Sequence, residues 1–141
     1  VNELSALVAD SEYQSIRLAS AISLGQIGDI RTLPVLKELL SDEEANIRWD
    51  AAIALAKMGD RSGVSILNSL INRSYYKNFK EIDSWETEKA ILVAIKVIDQ
   101  LGGSEFKSNL TTLAKADPSM DIRNAALNAL QNMDEMGSVN G

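Results

Sequence analysis

A chain of 141 residues that is 45% apolar but only 5% aromatic can bury a continuous core, and that apolar mass is Ala, Leu and Ile, which helices accept. A net charge of −6 opposes binding to a phosphate backbone. The absence of Cys and His removes thiol nucleophiles, disulfides, Cys/His zinc sites and the usual general base.

The longest uninterrupted apolar runs, 51–56 and 90–95, are far too short to cross a bilayer. The chain starts at Val1 with no charged-then-apolar leader, which leads us to expect a processed protein or an excised fragment, with the cytoplasm as its default location. With two prolines and eight glycines, long segments are free to be helical.

Helical spacing of apolar residues, punctuated by Gly-Asp and Ser-Asp, predicts about eight helices. The first two cover roughly 2–9 and 14–27, and Gly28-Asp29 ends them. A third spans 32–40, with Pro34 tolerated in its first turn. After Ser41-Asp42 a fourth spans 45–58, closed by Gly59-Asp60. Helices over 62–72 and 85–101 follow, then Gly102-Gly103, then helices over 105–115 and 120–133. Residues 137–141 read as a frayed tail behind a single domain over 1–136.

The phrase IRLASAISLGQIGD at 16–29 recurs as IRWDAAIALAKMGD at 47–60, and its core returns as IRNAALNAL at 122–130. Arg17 to Arg48 and Gly28 to Gly59 are both steps of 31. Such a period identifies a helical solenoid, with hairpins over approximately 1–28, 29–59, 60–102 and 103–136. The third repeat is degenerate: from Arg48 to its counterpart Ile91 is a step of 43, twelve longer than the period. The excess lies at 74–84, in SYYKNFKEIDS, and insertions between solenoid helices map to a loop on one face.

Ile47, Arg48, Ala51, Ala52, Ala54, Leu55, Met58, Gly59 and Asp60 carry a family pattern, echoed by Ile16, Arg17, Ala21, Leu24, Gly25, Ile27, Gly28 and Asp29. Ile122, Arg123, Ala126, Ala129 and Leu130 repeat it without the Gly-Asp end. These residues resemble HEAT-like repeats, specifically the short repeats of phycobilisome-lyase-type proteins. The resemblance implies an all-α, right-handed, armadillo-like α-solenoid of about four helical hairpins. It also implies an Asp before the second helix of each hairpin and an Arg inside it, joined in a hydrogen-bonded ladder. Asp10 with Arg17, Asp42 with Arg48, and Asp117 with Arg123 fill those places, and Ile91 leaves the third repeat without its Arg.

Two positions beside each Arg carry the functional expectation. In the HEAT-like pattern they face outward on the concave side, and they are Leu18 and Ile22, Trp49 and Ile53, Leu92 and Lys96, then Asn124 and Asn128. Spacing of four puts each pair on one helix face. The expected result is an apolar strip over three repeats that turns polar in the fourth, with Trp49 as the anchor of an interface. The inserted segment adds Tyr75, Tyr76 and Phe79, which either fold down onto the strip or form a second arm of a groove.

The acidic clusters Asp42-Glu43-Glu44 and Asp134-Glu135 lack the regular spacing of a calcium loop, so no metal and no cofactor is expected. The leading reading is a non-catalytic scaffold or adaptor, a protein-binding module that takes a helix or peptide on its concave face. The alternative, from the repeat subclass, is a bilin lyase-like or chromophore-handling protein. A DNA-handling relative is opposed by the net charge. Self-association through the strip is a further possibility.

Overall fold

The computed structural model describes Ser23 and residues 30–140, with the backbone alone for 135–140. Asp10, Arg17, Leu18, Ile22 and the helices expected over 2–9 and 14–27 lie outside the described residues. Every regular element among the described residues is helical. The chain divides into two compact units, residues 1–66 and 67–141.

In the first unit a 3-10 turn, Ile30–Thr32, leads into α1, Leu33–Leu39, where Pro34 occupies the first turn and loses no hydrogen bond there. α1 packs against the next helix, α2, Ala45–Lys57. Leu36, Leu39, Ile47, Ala51, Ala54 and Leu55 form their shared core, flanked by Leu33, Val35, Leu40 and Met58. Small residues on α2 permit close helix approach while the leucines fill the space between.

The Gly-Asp end of α2 has a mechanical reason. Gly59 sits at φ +81°, a left-handed conformation that glycine adopts without steric cost, and the Asp60 amide returns to the Leu55 carbonyl at 2.9 Å. The Asp60 carboxylate then accepts from the Ser62 amide at 2.8 Å and pairs with Lys37 at 3.6 Å. These bonds hold its carboxyl below the usual range, the Ser62 hydrogen bond foremost. One turn later Gly63 allows the next segment to approach α2. A Cβ at Gly63 would lie 2.8 Å from both Cα and Cβ of Ala52.

α3, Val64–Leu70, is shorter than the helix expected over 62–72 because the chain turns at Asn72. The Asn72 side chain accepts from the Ser74 amide at 3.1 Å and starts a 3-10 helix, Arg73–Asn78. Six residues expected to lie in or beside a loop are thus ordered against α4, Ser84–Leu101. α4 opens on a capping box: the Glu86 amide donates to Asp83 at 2.8 Å and the Asp83 amide to Glu86 at 3.5 Å.

α4 buries Ile91, Ala94, Ile95, Val97 and Ile98, then ends at Gly102, φ +75°. A 3-10 turn, Ser104–Phe106, places the fully buried Phe106 ahead of α5, Lys107–Ala116. α6, Met120–Asn140, packs on both α4 and α5 through Ile122, Ala126 and Ala129. Its helical backbone runs on past the end expected at Met133. Asn109 ties α5 to α3, donating to the carbonyl and side-chain oxygens of Asn68 at 3.0 and 2.9 Å.

Candidate partner-binding surface

The arginines inside the second helices reach back over the loops that precede them. Arg48 Nη1 donates to the main-chain carbonyls of Asp42 and Glu43 at 2.8 and 3.1 Å. Arg123 Nη1 makes the same pair to Asp117 and Pro118 at 2.7 and 3.2 Å. In both repeats the Asp carboxylate accepts from the amide two residues on, Glu44 at 2.9 Å and Ser119 at 3.0 Å. The Asp–Arg spacing of six therefore encodes a main-chain clamp. The guanidinium satisfies loop carbonyls that the helix cannot reach, while the carboxylate shapes the turn.

A guanidinium does reach the third repeat, from Arg73 just before the inserted segment rather than from the second helix. Arg73 Nε and Nη2 donate to the two oxygens of Asp117 at 2.8 and 3.0 Å, and Nη2 also lies 3.5 Å from Glu88 on α4. The Asp117 side chain is 1% exposed. Burial pushes its carboxyl up, and the hydrogen bonds from Arg73 and the Ser119 amide outweigh that, so it titrates below the usual carboxylate range. The Asp117 bond raises Arg73 further above its already high value. A cleft of about 150 Å³ opens beside this pair, between Asn72–Ser74 and the Asn109, Thr112 and Ala116 side of α5.

The expected apolar strip needs correction. Trp49 is buried, 9% exposed, so it is no open anchor. The reason is that α2 is apolar almost all round, with Ile47, Ala51, Ala52, Ala54, Leu55 and Ala56 also buried, and such a helix is enclosed by its surroundings. Ile53 and Leu92 are half-buried, and Lys96 is exposed. Asn124 and Asn128 are exposed, so the fourth repeat is polar there.

The aromatic insertion is built into the second unit. Tyr76 is 5% exposed and donates its hydroxyl to the Leu70 carbonyl at 2.6 Å, and burial raises its phenol above the ordinary value. Tyr75 and Phe79 are half-buried and meet edge to face, 5.2 Å between ring centres.

The open surface lies on α4. Trp85 is 68% exposed, and the Lys89 ammonium stands 5.2 Å from its ring centre. Val93, 37% exposed, and the exposed Lys96 continue the same helical stripe at spacings of four, four and three. Leu92 flanks the stripe. On the same flank, seven residues after Leu92, Asp99 accepts from Asn132 of α6 at 2.9 Å. Repeat periodicity did not select Trp85, because the residue lies before the repeated phrase; its signal was being an aromatic at a helix start.

Among the described residues, no group of three acidic side chains is placed to hold a metal ion, and no helix is long and apolar enough to cross a membrane. A family model described as HEAT repeats matches residues 1–82. No curated protein matches the chain.

Proposed function

Because the chain belongs to the HEAT repeat family, we propose that it is a non-catalytic protein-interaction module that receives a helix or peptide on the exposed face of α4. HEAT repeats in general serve protein–protein interaction, which gives the class of partner. The observation that carries the reading is the exposed stripe Trp85, Lys89, Val93 and Lys96 on α4. A solvent-facing helix has no packing use for a tryptophan, whereas interfaces draw much of their energy from such anchors. Lys89 over the ring holds the indole in place and pre-arranges it.

Selection of a displayed library of amphipathic helical peptides against the whole chain tests this reading. Trp85→Ala is expected to weaken the selected peptides by about 2 kcal/mol, roughly thirtyfold in Kd, with an unchanged circular dichroism spectrum. If no peptide enriches, the module reading fails. If selected peptides bind Trp85→Ala as well as wild type, the α4 stripe is not the surface.

A further inference from the structure

The cleft beside Arg73 is lined entirely by residues of the second unit, and its lining combines two kinds of chemistry. Ile71 and Leu113, both buried, and Ala116 give it apolar surface. Asn72, Arg73 and Ser74 give it hydrogen-bond donors that the fold does not use. A guanidinium carries five N–H groups in a planar fork. Asp117 engages Nε and Nη2 of Arg73, and Glu88 lies 3.5 Å from Nη2, so among the described residues Nη1 has no acceptor. The Asn72 side chain accepts from the Ser74 amide, but neither its own NH2 nor the Ser74 hydroxyl donates to any described residue.

Local charge does not bar an anion from this place. Arg73 and Arg123 stand against Asp117 and Glu88, so the cluster is neutral, and ions screen the remaining negative charge of the chain beyond about 8–10 Å. The two acids hold Arg73 unequally. Asp117 binds through two short bonds from a side chain 1% exposed, whereas Glu88 reaches one nitrogen at 3.5 Å from a side chain 42% exposed. A ligand carboxylate can therefore take the Nη1–Nη2 edge in place of Glu88 and leave the Asp117 pair intact. Volume limits the rest of the ligand: about 150 Å³ accommodates a molecule of benzene size, hence a tail of about six carbons or fewer.

We propose that this cleft binds a small monocarboxylic acid, its carboxylate on the outer edge of Arg73 and its short apolar tail against Ile71, Leu113 and Ala116. Asn72 and Ser74 supply further donors to the carboxylate. The proposal does not depend on the interaction-module reading and makes no use of the Trp85 stripe.

Titration of the whole chain with hexanoate, followed by NMR of the backbone amides and of the Arg73 Nε–H, tests this. Hexanoate is expected to give saturable shifts of the Arg73 Nε–H and of the Ser74 and Leu113 amides. Hexanamide keeps the tail and loses the charge, and acetate keeps the charge and loses the tail; each should bind about tenfold more weakly. Glu88→Gln should tighten hexanoate about threefold or more, because the competing carboxylate is gone. Ala116→Leu fills the cleft without touching the Arg73–Asp117 pair and should abolish the shifts. No saturable shift up to about 20 mM hexanoate, or undiminished binding to Ala116→Leu, overturns the site. Equal binding of hexanoate and hexanamide, or no gain in Glu88→Gln, overturns the placement of a carboxylate on Arg73.

Discussion

Asp117 and Arg73 show how much a single pair can hold in place. Asp117 accepts from the Ser119 amide, lends its carbonyl to Arg123 and binds Arg73, which also reaches Glu88. Removing the guanidinium strands a carboxylate whose side chain is 1% exposed. Arg73→Ala is expected to cost about 3 kcal/mol in urea unfolding at pH 7, the lower end for breaking a buried pair from one side. The folded Asp117 titrates below its unfolded value, so the pair's stabilisation is complete above about pH 4 and fades as pH falls through the folded value. The variant should therefore lose less stability than wild type on acidification below pH 4. Parallel acid limbs for the two proteins would refute the role given to the pair.

At the scale of elements, α2 and α4 occupy equivalent places in their hairpins but meet their surroundings differently. α2 is buried nearly all round, whereas α4 keeps one stripe open. The approach to α2 is set by Gly63, where a side chain would collide with the backbone of Ala52 rather than with a flexible tip. Gly63→Ala is expected to lose about 1–3 kcal/mol, the usual range for overpacking, although alanine favours helix more than glycine does. A thermal melt equal to or above wild type would show that the contact yields freely. α4 starts where it does because Asp83 and Glu86 cap each other's amides, and the segment before it is ordered by the Asn72 turn and the Tyr76 hydroxyl.

For the whole molecule, charge sets how a partner arrives. A chain at −6 attracts cationic partners more than anionic ones from a distance, and ions screen that attraction over about 8–10 Å at physiological salt. Raising salt from about 50 to 500 mM should slow association of those selected peptides that carry a net positive charge about tenfold or more and change their dissociation much less. Association that is unaffected by salt would show that electrostatic steering has no part in capture. The family match over residues 1–82 spans both units of the chain, so the repeat pattern is not confined to either.

Among the described residues, helix class and the Gly59-Asp60 stop were determined by sequence alone, because period, cap chemistry and left-handed glycine are local properties that neighbours do not alter. The clamp by Arg48 and Arg123 was legible as a spacing of six, but its acceptors were not, since carboxylate and carbonyl lie equally within reach of a guanidinium. Trp49 was misread as open because an outward repeat position says nothing about what encloses the helix. Arg73 and Trp85 flank the inserted segment and fill no position of the repeated phrase, and packing alone brought the first to Asp117 and left the second in solvent. Periodicity writes the scaffold into the chain, whereas burial and pairing are sums over distant neighbours and are decided only when the helices meet.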